Sequence, residues 1–160
     1  MTTLNTMAAI LAGTEDPAWT FAVDGFEQIM ESSVESRFAI SNGFLGVRGA
    51  RSTTRGERWV VPARTYVAGL CDSPGVIQAT QALVPAADWL GIRIALPDGP
   101  LVCHPGDVPL HRMTLDMKRG ALLSESHHLS TPDIGLCVRT LRLVSMSERA
   151  VGLQLIQLEV

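Results

Sequence analysis

A chain of 160 residues, 46% of them hydrophobic, is long enough to bury the core of one domain. Its formal net charge of −3 and pI of about 5.8 argue against nucleic acid or an anionic membrane as the main partner, and no apolar run reaches the roughly 18 residues needed to cross a bilayer. Cys71, Cys103 and Cys137 are odd in number, widely spaced and without a Cys-x-x-Cys pair, which fits reduced thiols in a cytoplasmic protein better than a disulfide framework.

The first residues, MTTLNTMAAILAG, hold a short apolar patch with no Lys or Arg ahead of it, so they lack the basic start of a secretory signal. Residues 1–15 are expected as a flexible lead-in, and 16–160 as one β domain. Asp16-Pro17 interrupts regular structure, residues 19–23 alternate as a strand does, and Asp24-Gly25 ends the run. Residues 26–33 carry the weak periodicity of a short helical turn.

Residues 35–49, ESRFAISNGFLGVRG, form the most informative stretch. Asn42-Gly43 is a turn signal because both residues tolerate positive φ. Phe38-Ala39-Ile40 precedes it, and Phe44-Leu45 with Val47 follows, so two short strands around a tight turn are predicted. Gly43, Gly46 and Gly49 recur at every third position, with Arg48 between the last two; glycine serves where a backbone or ligand must come close.

Residues 51–64 are polar and arginine-rich and read as a loop. A strand is predicted over 65–70, closed by Asp72-Ser73-Pro74-Gly75, while 78–84 is ambiguous between helix and coil. Leu90, Ile92, Ile94 and Leu96 would share one strand face, and Pro97-Asp98-Gly99-Pro100 would turn the chain back through 101–103 as a hairpin. Further strands are expected over 110–117, 121–129, 136–146 and 151–160. Short strands separated by turn residues, with no internal repeat, argue an all-β antiparallel sandwich or barrel. The final residues, LQLIQLEV, stop inside an apolar strand, an unpaired edge that hinders solubility; the expectation is a sandwich incomplete at its C-terminus, a piece of a longer chain.

Several residues carry possible chemistry. Glu35 and Asp116 are conceivable as a carboxylate pair for glycoside hydrolysis; the plainer reading has Glu35 holding Arg37 or a backbone turn and Asp116 capping the turn before Gly120. Arg48 could offer its planar fork to a sugar hydroxyl or to a carboxylate of an adjoining domain, which makes it the candidate substrate-binding residue; the alternative is a structural ion pair. Arg48, Arg51, Arg55, Arg58 and Arg64 suggest phosphate, but no glycine spacing or Lys-Ser/Thr step forms a phosphate cradle, so a solvated loop is expected. Trp59 alone does not make an aromatic platform for nucleic acid. His127 and His128 would point to opposite faces of a strand, and His104 and His111 stand alone, so no metal site is predicted. Trp19, Trp89 and Tyr66 could stack on a sugar ring, although in this context they read first as core or interface anchors.

Taken in order, Trp19 with Asp24-Gly25-Phe26, Glu35-Ser36-Arg37-Phe38, Asn42-Gly43-Phe44-Leu45-Gly46-Val47-Arg48-Gly49, Thr65-Tyr66-Val67-Ala68-Gly69, Asp88-Trp89-Leu90, Leu115-Asp116-Met117 with Gly120, and Arg142-Leu143-Val144-Ser145-Met146 before Glu148-Arg149 resemble the N-terminal domain of glycoside hydrolase family 65. That family holds maltose, trehalose and kojibiose phosphorylases and related α-glucoside hydrolases. The Asn-Gly to Arg-Gly and Leu-Asp-Met blocks are the most specific. The chain departs from the pattern at Val84-Pro85-Ala86-Ala87, where family members often have an Asn-Leu-Pro lead into the Asp-Trp step. The resemblance implies a large antiparallel sandwich of the supersandwich type, followed by a helical linker and an (α/α)6 barrel. In the family the general acid and the phosphate site belong to that barrel, so no residue here is nominated as catalytic, and the chain alone is expected to be inactive. The implied role is to pack on the chain's own C-terminal barrel and shape an active site for an α-linked disaccharide, in a homodimer when full length. No cofactor is implied, with inorganic phosphate as co-substrate if the enzyme is a phosphorylase. The rival reading is a stand-alone carbohydrate-binding or structural sandwich.

Overall fold

The computed structural model describes residues 2–25, 27–51, 65–72, 81–96, 99–101, 110–131 and 134–160. In chain order the elements are α1 (Thr2–Leu11), β1 (Thr20–Asp24), α2 (Glu31–Arg37), β2 (Ile40–Ser41), β3 (Leu45–Val47), β4 (Thr65–Asp72), β5 (Ala82–Pro85), β6 (Ala95–Leu96), β7 (Gly99–Pro100), β8 (Leu110–Asp116), β9 (Ala121–Thr131), β10 (Ile134–Val144) and β11 (Gly152–Glu159). Single 3₁₀ turns precede β1 (Pro17–Trp19) and α2 (Gln28–Met30). Among the described residues all pairings are antiparallel: a main sheet in the order β1-β8-β9-β10-β11, a second sheet β2-β3-β4-β5, and the two-stranded pair β6-β7. The expected all-β sandwich is therefore what the chain forms.

Period-two alternation fixes which residues face the second sheet. Leu115 pairs with Leu122 and Met113 with Ser124, which sets these on the inner face. There Met113, Leu122 and Val144 pack with Ile40, Leu45 and Val47 of the second sheet and with Val34, Phe38 and Leu90. Phe38, fully buried at the end of α2, stacks on Phe21 of β1 with ring centroids 5.1 Å apart. Burying a side chain of that size stabilises by about 1.5–3 kcal/mol. The opposite face of the main sheet has its own smaller cluster, Ala121, Leu123 and Leu141, covered by Ile10 and Leu11.

Those two residues end α1, so the stretch expected as an irregular lead-in contains a helix. Arg119 donates from Nη1 to Ala12 O at 2.5 Å and from Nη2 to Ile10 O at 2.7 Å, placing a cation on the carbonyl end of the helix. Asp116 then holds Thr14, two residues beyond Ala12: its carboxylate accepts from Thr14 N at 2.8 Å and Thr14 Oγ1 at 3.0 Å.

The helical turn expected over 26–33 forms as the 3₁₀ turn Gln28–Met30 and runs on into α2, which continues to Arg37; Glu31 stands in the first turn of α2 and Arg37 in its last, the charge order that suits the helix dipole. Of the hairpin expected over 90–103, the pairing among the described residues is Ala95–Leu96 with Gly99–Pro100, extended by Leu101 N donating to Ile94 O at 2.8 Å. Leu90 is buried, Gly91 and Arg93 are exposed, and Ile92 and Ile94 are half-buried, so the in–out pattern holds. Side chains serve the Leu90 backbone: Asp88 Oδ1 accepts from Leu90 N at 3.0 Å, and Gln154 Nε2 donates to Leu90 O at 3.2 Å. The turn residues Pro97 and Asp98, and the returning Val102 and Cys103, lie outside the described residues.

Candidate functional site

Within the 35–49 block the Asn-Gly turn forms as predicted between β2 and β3, while Glu35-Ser36-Arg37 belong to α2. Asn42 Oδ1 accepts from Phe44 N at 3.0 Å and Leu45 N at 2.8 Å, which closes the β2–β3 turn, and Gly43 takes φ of 82° beside it. Asn42 Nδ2 donates to Ser145 O and Arg149 O, tying this turn to the β10–β11 connection. Gly49 is required by packing: a Cβ there would lie 2.3 Å from Phe38 Cβ and 2.6 Å from Phe38 O, while Gly49 N donates to Glu35 O at 2.8 Å. At Gly46 the nearest atom to such a Cβ is Ser41 Oγ at 3.7 Å, so space imposes no glycine.

Arg48, the candidate for substrate binding, leaves β3 toward α2. Its Nη2 donates to Ser32 O at 3.0 Å and Ser36 Oγ at 3.1 Å, and its Nε stands 3.6 Å from Glu35 Oε2. The side chain is 23% exposed, so part of the guanidinium faces solvent while the rest joins helix to strand. Glu35 thus sits beside Arg48 rather than Arg37. Asp116 follows the turn-capping expectation, accepting from Arg119 N at 3.1 Å as well as from Thr14. Burial alone raises its pKa, but the Thr14 and Arg119 hydrogen bonds with the Arg119 charge outweigh that and hold the carboxyl below its ordinary range. Each of these two carboxylates has its own structural partners.

Arg51, expected in a solvated loop, is instead 3% exposed: its guanidinium contacts Glu31 at 2.9 Å, and its Nη2 donates to Gly25 O at 2.9 Å. Arg51 follows directly on the tightly packed Gly49-Ala50 step and is carried into the core with it. Arg55, Arg58, Trp59 and Arg64 lie outside the described residues, as does His104. His111 does not stand alone. It is buried on the inner face of β8, where burial, then the charge of Arg51, then His128 push its pKa down to about 3. His128 is buried too, its Nε2 2.9 Å from Ser126 Oγ, whereas His127 is half-exposed on the other face, as the adjacent-residue rule requires.

Sequence reasoning passed over Arg142. Alternation of arginines with apolar residues along β10 is visible in the sequence, but only the register shows that Arg142 points inward. It is 2% exposed, donates from Nε to Gln154 Oε1 at 2.7 Å, and donates from Nη1 to Ala50 O, joining the main sheet to the end of the 35–49 block. Of the aromatic candidates, Trp89 packs on the core above Gly152, Tyr66 is half-buried, and Trp19 is 48% exposed. No helix among the described residues is long and apolar enough to cross a membrane.

This geometry, a two-sheet sandwich locked through the Asn-Gly and Arg-Gly steps, agrees with comparison to known proteins. The family model described as glycosyl hydrolase family 65, N-terminal domain, matches residues 21–160. The chain belongs to that family. An uncharacterized glycosyl hydrolase of Mycobacterium leprae (strain TN) is 30% identical over 127 residues, which cover 74% of this chain and 16% of the relative. Another, from Mycobacterium tuberculosis (strain ATCC 25618 / H37Rv), is 29% identical over 127 residues with the same 74% and 16% coverage. The solved structure named "Putative kojibiose phosphorylase from human microbiome" superposes with a TM-score of 0.75 at 21% identity, over 91% of this chain and 20% of that one, and shows the shared fold. The family 65 domain described here thus spans about a sixth of the length of these curated relatives.

Proposed function

We propose that this family 65 N-terminal domain is the non-catalytic sandwich of a glycosidase or glycoside phosphorylase acting on α-linked disaccharides. It packs on a catalytic (α/α)6 barrel carried by the same full-length protein and shapes the mouth of the active site. The observation that carries this reading is the family match over 21–160, within relatives of whose length the matched stretch is 16%. Two features support it. Glu35 and Asp116, the carboxylates that could have formed a hydrolytic pair, are committed to Arg48 and to Thr14 with Arg119. Among the described strands β11 lies at an edge, and its Leu153, Ile156 and Leu158 are 42%, 40% and 49% exposed on its two faces, an apolar surface suited to covering by further polypeptide.

In this reading Arg48 is a clamp that sets α2 against β3, and any contact with substrate comes through the part of its fork that faces solvent. The full-length enzyme is a cytoplasmic homodimer without an organic cofactor, using phosphate or water as acceptor. The test is Arg48→Ala in the full-length enzyme. A clamp predicts lower stability with KM for the disaccharide little changed; a rise in KM at unchanged stability assigns Arg48 to substrate instead. The half-exposed Trp19 favours a second reading, a carbohydrate-binding surface. Calorimetric titration with maltose, trehalose and kojibiose tests it: saturable binding abolished by Trp19→Ala supports that surface, and its absence removes it.

A further inference from the structure

The outer face of the main sheet carries a cluster with no part in the reading above. Alternation along β9 sends Glu125 and His127 from the same face, and the β9–β10 register sets Cys137 opposite His127. Three different donor types meet there. His127 Nε2 lies 2.8 Å from Glu125 Oε1 and 3.5 Å from Cys137 Sγ, and the three donor atoms all fall within 4.8 Å of one another. The expectation of no metal site rested on His127 and His128 diverging; they do diverge, but the strand supplies Glu125 two residues away and its neighbour supplies the thiol.

We propose that Glu125, His127 and Cys137 form a surface binding site for a borderline divalent transition metal of the zinc class, with water completing the coordination. Bonds of about 2.0–2.3 Å in a tetrahedron put donor atoms roughly 3.3–3.7 Å apart. The His127–Cys137 separation of 3.5 Å already meets this, and the 2.8 Å His127–Glu125 hydrogen bond opens by about half an ångström as it is exchanged for two metal bonds. Glu125 is oriented for single-oxygen ligation, because its Oε2 accepts from Arg139 Nε at 3.1 Å while Oε1 faces the cluster. Arg139 is itself fixed by Glu159 Oε2 at 2.9 Å, on the β11 residue opposite Cys137. Such outer contacts orient a ligand and set metal affinity. Glu125 and His127 side chains are 34% and 43% exposed, so an ion enters from solvent. Binding moves the proton that Nε2 holds toward Glu125 onto Nδ1 through solvent, so that the neutral His127 ligates through Nε2, and the Cys137 thiol releases its proton to water.

The experiment is a titration of the purified chain with Zn²⁺ against a chromophoric chelator, in a Cys71→Ser/Cys103→Ser background that leaves Cys137 as the single thiol. One equivalent is expected to bind. His127→Gln and Cys137→Ser should each weaken it by at least roughly 100-fold, and Arg139→Gln by about 10-fold, within the range that outer contacts command. Co²⁺ in place of Zn²⁺ needs no ligand substitution and should give a near-ultraviolet thiolate-to-cobalt band. Absence of that band, or stoichiometric Zn²⁺ binding that His127→Gln and Cys137→Ser leave intact, overturns the proposal.

Discussion

Gly46 and Gly49 look alike in the sequence, yet they answer different constraints. Gly49→Ala forces a Cβ to 2.3 Å from Phe38 Cβ, and overpacking of this kind costs about 1–3 kcal/mol; Gly46→Ala meets nothing nearer than 3.7 Å and should change stability by less than about 0.5 kcal/mol. Urea unfolding of the two variants checks the difference. His111 makes a pH prediction. Its pKa falls from 6.5 to about 3 on folding, so between those values the unfolded chain binds a proton that the folded chain does not. Stability from this residue is complete above about pH 6.5 and is lost as pH falls toward 3, with a limiting slope of about 1.4 kcal/mol per pH unit. His111→Gln should flatten that slope between pH 6.5 and 5, as read by unfolding at a series of pH values; an unchanged slope would remove His111 as its source. Neither the burial of His111 nor that of Arg142 is legible from residue type, because charged and titratable side chains are usually exposed and only the pairing register sends these two inward.

At the scale of elements, β8, β9, β10 and β11 lie within one or two residues of their predicted bounds, since long period-two alternation and turns such as the Lys118-Arg119-Gly120 step leave little choice. The Asn-Gly turn is legible for the same kind of local reason. α1 is not, because an isolated helix of 10 residues is marginal in water and this one depends on a sheet face 110 residues away in the chain. Asp116 is central to that docking. Asp116→Ala removes the acceptor for Thr14 N, Thr14 Oγ1 and Arg119 N and should cost about 1.5–3 kcal/mol, the range for hydrogen bonds to a charged group. Hydrogen exchange should then speed up over 2–13 while β9 and β10 keep their protection; uniform loss across the sheet would show that Asp116 supports the whole domain. Before β6, alternation shows which residues face inward, and the Leu90 backbone is served by side chains, with Asp88 Oδ1 accepting from its N and Gln154 Nε2 donating to its O.

For the whole molecule, the family was legible from ordered blocks of residues, and the sandwich that positions them agrees with the family match. Arg48 shows where sequence reading stops: its glycine flanks drew attention, but whether its fork serves helix α2 or a sugar depends on three-dimensional partners. The central claim is that this domain supports catalysis carried out elsewhere in a longer protein. It is tested most directly by assaying the purified 160-residue chain with maltose, trehalose and kojibiose, each with and without inorganic phosphate, beside the full-length enzyme. The account predicts turnover of at least one of these disaccharides by the full-length enzyme and none by the isolated chain. Turnover by the isolated chain, retained through purification to homogeneity, would contradict it.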